Sequence, residues 1–196
     1  QQVSNGEQIR WHHEWVDLEE ISPNLPLAVM ASEDQNFLNH SGFDWEAIQK
    51  VIEERTEGKR MRGGSTISQQ TAKNVFLFPT ASSGKLAWLR KGAEAYFTLL
   101  IEFMWDKHRI MEVYLNTIEM GDGIYGAEAV AQNNFGCKAS ELTRNQCAMI
   151  AITLPNPLKM NSASPTSYMY KRQSWCVKQM KWLGKFPSRE EYEKKE

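Results

Sequence analysis

From one end of the chain to the other, apolar side chains recur three and four residues apart with polar ones between them, while alternating β-branched runs are almost missing. That period predicts a mostly α fold. An apolar stretch, Leu27 to Met30, runs into the adjacent acids Glu33 and Asp34. Asp44 is placed to cap a helix whose inward face would carry Trp45, Ile48, Val51 and Ile52, with Gly58 ending it. A further helix should begin at Ser65 or Thr66 and run through Gln70 and Lys73. The longest spans Lys85 to Met104, with Leu86, Leu89, Ala93, Tyr96, Phe97, Leu100, Ile101 and Met104 at helical spacing, and is expected to be the central helix. Asp106 caps a core helix through Ile110, Val113 and Tyr114, and Thr143 with Gln146 forms a capping box before the apolar run Cys147 to Ile152. Beyond Pro155 and Pro157, a last long helix passes through Trp175 and Leu183 to Gly184.

Composition narrows the class. The 196 residues, 41% hydrophobic, suffice for one domain over 1–196 with a full core. With 23 basic against 24 acidic residues the net charge is -1, which argues against a nucleic-acid protein and makes any anion site local. Cys137, Cys147 and Cys176 have neither disulfide-framework nor metal-ligand spacing and read as buried small hydrophobes. No apolar run reaches the ~18 residues of a membrane span, so an N-terminal transmembrane anchor would lie upstream of Gln1.

Charge is sharply segregated. Between Gly58 and Ala93 stand Lys59, Arg60, Arg62, Lys73, Lys85, Arg90 and Lys91, with no Asp or Glu. Such a window makes a positive field suited to phosphate or pyrophosphate, or a solvated basic surface. The same window holds Val75, Phe76, Leu77, Phe78 and Trp88, and basic beside apolar groups suit an anionic membrane surface. Glu33 and Asp34, being adjacent on a helix, cannot face the same way, so one can enter a cleft while the other makes structural hydrogen bonds. A carboxylate in a cleft is a candidate for tuned proton transfer.

These segments resemble the glycosyltransferase family of penicillin-binding proteins, most closely its monofunctional biosynthetic peptidoglycan transglycosylases. The matching residues are Glu33-Asp34-Gln35-Asn36-Phe37 with His40 and Gly42; Gly63-Gly64-Ser65-Thr66-Ile67-Ser68-Gln69-Gln70 with Lys73-Asn74; Arg90-Lys91-Gly92-Ala93-Glu94; and Arg109 to Asn116 with Gly121 after it. A weaker fifth match contributes Arg172 with Cys176 and Val177. The resemblance implies a lysozyme-like helical lobe with a small membrane-facing jaw, here about 59–88.

It also implies the chemistry: polymerisation of lipid II into β-1,4-linked glycan, with inversion and release of undecaprenyl pyrophosphate. Glu33 would be the general base and Glu94 the second catalytic carboxylate. Lys73, Arg90, Lys91 and Arg172 would hold the pyrophosphate, with the capped helix at Ser65 and Thr66 supporting it. Asp34, Gln69, Gln70 and Asn74 would hydrogen-bond around the site and position sugar, whereas Glu112, Tyr114 and Asn116 would serve as scaffold. His12 and His13 fall outside every motif and read as surface residues.

No cofactor is required on this reading, although a divalent metal, Mg or Mn, would suit the pyrophosphate. The expected partners are lipid II, the growing lipid-linked glycan, the membrane surface and other cell-wall synthesis proteins, not nucleic acid. The expected location is the extracytoplasmic, periplasmic side of the bacterial inner membrane. The alternative is a lysozyme-like peptidoglycan hydrolase or lytic transglycosylase, which needs the acid but no pyrophosphate site.

Overall fold

The computed structural model describes residues 12–56, 64–77 and 85–193. Nine α-helices and three short strands are present among them: β1 (His12–His13), α1 (Asn24–Glu33), α2 (Trp45–Thr56), α3 (Ile67–Phe76), α4 (Lys85–Met104), α5 (Lys107–Thr117), β2 (Glu119–Gly121), β3 (Ile124–Tyr125), α6 (Ala127–Phe135), α7 (Arg144–Thr153), α8 (Ser167–Leu183) and α9 (Arg189–Glu193). The mostly α expectation holds, in keeping with a lysozyme-like helical lobe. β3 lies between β1, which it meets in parallel, and β2, which it meets antiparallel. Within the 59–88 segment, residues 59–63 and 78–84 lie outside the described residues, as does Gly58.

The local start signals operate as read. Asp44 accepts from the Ala47 amide, and Asp106 caps α5 through the Arg109 amide. Thr66 with Gln69 and Thr143 with Gln146 form capping boxes, and Gly184, at φ 84°, ends α8. Trp45 differs from expectation: it is 72% exposed and stacks beside Phe43 rather than entering the core.

The centre of the molecule is also not where the pattern put it. α1 and α7 are apolar nearly all round, and α1 packs against both α7 and α8. α4 instead lies on the outside, against α3. Its buried stripe is Glu94, Thr98 and Ile101, while Leu89, Tyr96, Leu99 and Phe103, on the opposite side of the helix, are exposed, Phe103 by 89%. Periodicity reveals that a helix has an apolar face but not what covers it.

α5 is the scaffold. Asn116 accepts from the Val16 amide at 3.0 Å and donates to the Val16 carbonyl at 2.9 Å, and Glu112 accepts from the Leu18 amide. His13, read as an unassigned surface residue, donates from Nε2 to the Asn116 carbonyl at 2.9 Å and so helps to tie the N-terminal segment down. At the other end of α5, His108 donates to the Pro187 carbonyl and packs against Phe186 and Tyr192. Burial pushes the Cys147 and Cys176 thiols up to about 12, as expected of inert hydrophobes, while Cys137 is only partly buried.

Candidate active site

Glu33 is the last residue of α1 and Asp34 its C-cap. The helix ends between them and they diverge. Asp34 turns inward, 6% exposed, and accepts from the Ile67 amide at 2.9 Å and from His40 Nε2 at 3.0 and 3.1 Å. His40 Nδ1 accepts from the Gly42 amide, which fixes the proton on Nε2. Asp34 thus braces the loop and occupies the positive end of α3.

The rest of that end is occupied too. The Thr66 hydroxyl accepts from the Gln69 amide and donates to the Gly42 carbonyl at 2.6 Å, while the Gln69 side-chain oxygen accepts from the Thr66 amide. Ser65 is exposed beside it. Support for an anion from this terminus therefore competes with a carboxylate already bound there.

Glu33 is half-buried and faces the other way. Its Oε2 accepts from Gln70 Nε2 at 3.2 Å and its Oε1 from the Ser32 hydroxyl at 3.2 Å. Burial raises its pKa above the ordinary 4.5, against the lowering effect of the Gln70 and Ser32 bonds and the Arg172 charge; Asp34 adds to the rise. Arg172, on α8, thus belongs to the surroundings of Glu33, with its guanidinium 4.6 Å from the Trp175 ring centre. A carboxylate held in this way can take a proton from a hydroxyl.

Gln70 connects Glu33 to the cationic helices. Lys73 and Asn74, three and four residues further along α3, share its side of the helix; Lys73 is half-buried and Asn74 exposed. α4, packed along α3, carries Arg90, half-buried, and Lys91, exposed, whose ammonium pairs with the buried Glu94. Among the described residues no group of three or more His, Cys, Asp or Glu side chains gathers to hold a metal ion. Glu94, paired with a lysine, does not form such a cage.

Sequence reasoning missed a buried polar layer beneath these residues. Lys107 donates to Glu102 at 2.7 and 2.8 Å and lies 4.8 Å from the Phe37 ring centre. Burial lowers its pKa, opposed by Glu102 and then Asp34. Glu102 also accepts from the buried Ser68 hydroxyl, so the pair links α3, α4 and α5. A signal was present: a lysine in the first turn of a helix opposes the helix dipole and so needs a partner.

The comparisons with known proteins show the family. The transglycosylase family model matches residues 2–181. A protein of Bacteroides thetaiotaomicron named biosynthetic peptidoglycan transglycosylase is 54% identical over 187 residues, covering 95% of this chain and 73% of its own length. Proteins of the same name from Shewanella oneidensis, 52% identical over 88% of this chain and 72% of theirs, and Caulobacter vibrioides, 54% over 82% and 68%, match similarly. The chain belongs to the transglycosylase family. The names its relatives carry are those of biosynthetic glycosyltransferases, and the lytic alternative is not favoured.

Proposed function

We propose that the chain polymerises lipid II into β-1,4-linked glycan on the extracytoplasmic face of the bacterial inner membrane. Glu33 removes the proton from the 4-hydroxyl of one lipid-linked disaccharide as that oxygen bonds to C1 of the growing strand. The C1 bond to undecaprenyl pyrophosphate breaks on the opposite side, the pyrophosphate leaves with the electron pair, and the anomeric centre is inverted. Lys73, Arg90, Lys91 and Arg172 hold that leaving group, and Glu94 orients Lys91 for it. Gln70 and Asn74 position sugar, while Asp34, Thr66 and Gln69 hold α3 in place.

No cofactor takes part, and no step needs a resident metal; a divalent cation would arrive with the pyrophosphate. The membrane contact is the outer face of α4, where Leu86, Leu89, Tyr96, Leu99 and Phe103 form an exposed apolar stripe, with Trp88 beside it and Arg90 and Lys91 on the same helix. No helix among the described residues is long and apolar enough to cross a membrane. Other cell-wall synthesis proteins would act on the same strands.

The observation that carries this reading is the Gln70–Glu33 hydrogen bond, which sets a carboxylate of raised pKa against the helix that bears Lys73. The test is polymerisation of purified lipid II by wild type and Glu33→Gln, with and without Mg or Mn. Glycan from wild type and little or none from a folded, substrate-binding Glu33→Gln is expected. Full activity in the variant would remove Glu33 as the base.

A further inference from the structure

Gln70 can present either end of its amide to Glu33, and the two are chemically opposite. Its nitrogen donates to an ionised carboxylate and stabilises it; its oxygen would repel the charge and favour the protonated acid. Tyr114 bears on that choice. It is fully buried on α5, and its hydroxyl donates to Gln70 Oε1 at 3.2 Å while Gln70 Nε2 donates to Glu33 Oε2 at 3.2 Å. We infer that Tyr114 is a positioning residue for Glu33, its hydroxyl holding the Gln70 amide with the nitrogen toward the carboxylate.

Three observations support a directional chain. The phenol stays protonated, and so remains a donor: burial, then the charges of Glu33 and Asp34, push its pKa well above the usual 10. A flip of Gln70 would set its oxygen against a Glu33 oxygen, and the buried Tyr114 hydroxyl, turned to accept from the amide N–H, would lose the acceptor of its own proton. Gln70 is also the undivided donor to Glu33, because the single Ser32 proton is shared between Glu33 Oε1 at 3.2 Å and the Ala151 carbonyl at 3.3 Å.

The other groups facing Glu33 are accounted for among the described residues. α1 and its cap supply Ser32 and Asp34, α3 supplies Gln70, and α5 supplies Tyr114. α8 supplies Arg172 and the neutral thiol of Cys176, and α7 offers the Ala151 carbonyl to Ser32. Burial and Asp34 favour the protonated acid, while Gln70, Ser32 and Arg172 favour the base. Tyr114 makes the Gln70 contribution reliable, so its loss should move the pH at which Glu33 becomes competent.

The inference rests on Glu33 being the general base, and the experiment separates the two. The pH dependence of kcat and KM for lipid II polymerisation is measured for wild type, Tyr114→Phe, Gln70→Leu and the double variant. Tyr114→Phe should move the acidic limb of kcat up by roughly half to one pH unit with KM within about twofold of wild type. Gln70→Leu should move the limb the same way, and the double variant no further than Gln70→Leu alone. A folded Tyr114→Phe that loses heat stability but keeps its limb in place overturns the inference, as do shifts that simply add in the double variant. If Tyr114→Phe does not fold, a ring-fluorinated tyrosine at position 114, a stronger donor of nearly the same size, should move the limb to lower pH, and an unmoved limb again overturns it. Polymerisation near the wild-type rate in Glu33→Gln refutes the base reading itself, whatever position 114 does.

Discussion

The Asp34 carboxylate accepts the Ile67 amide at 2.9 Å, tying the end of the helix that presents Glu33 to the start of the helix that presents Gln70 and Lys73. Two neighbouring acids thereby divide the work: Glu33, the base of the proposed reaction, faces the other way, and Asp34 holds the frame that aims it. Replacing Asp34 by Ala should leave the Ile67 amide and His40 without their partner and cost about 2–4 kcal/mol, read as a lower denaturant midpoint. A midpoint equal to wild type would show that the bond does not brace α3.

The sign of the Glu33 shift has its own consequence. A carboxylate whose folded pKa lies above 4.5 favours the folded state fully below that pH, and the contribution is lost as pH rises through the folded value. Ionised Glu33 therefore weakens the fold at neutral pH. Glu33→Gln should melt higher than wild type at pH 7, with the advantage shrinking as pH falls through the folded pKa and gone below about pH 4.5, while polymerisation falls by roughly 10²- to 10⁴-fold. A melting difference independent of pH would contradict this.

Lys107 and Glu102 pair where little solvent reaches them, both below a tenth exposed in their side chains. Lys107→Met alone should strand Glu102 and cost about 3–5 kcal/mol. Lys107→Met with Glu102→Leu should recover most of that loss, because no unpaired charge remains. Equal losses in the single and double variants would show that the pair is not the reason for the cost.

Gly42 sits at φ 89°, and a Cβ there would meet Thr98 Cγ2 at 2.9 Å and Glu102 Cγ at 3.2 Å. Both backbone strain and crowding act against a side chain. Gly42→Ala should destabilise by about 2–4 kcal/mol and lower kcat with it, since the Gly42 carbonyl receives the Thr66 hydroxyl at the start of α3. Calorimetry on the variant checks this directly.

The exposed stripe of α4 predicts a measurable affinity. Leu99→Ser with Phe103→Ser should leave melting unchanged, because both side chains already face outward, and should weaken binding to anionic phospholipid vesicles by roughly tenfold or more. Unaltered vesicle binding would place the membrane contact elsewhere.

Much of this protein is written locally. A helix boundary depends on groups within a turn of one another, so Asp44, Thr66, Asp106, Thr143 and Gly184 could be read from the sequence as boundaries, and the motifs carried the family and the acid at Glu33. The tertiary structure decided what each helix face meets. It set α1 and α7 at the centre instead of α4, turned Asp34 inward, brought Lys107 under Phe37 and placed Tyr114 behind Gln70. The last three of those outcomes join residues 33 to 70 positions apart, and the burial of a charge or the direction of an apolar stripe depends on partners that local periodicity does not encode.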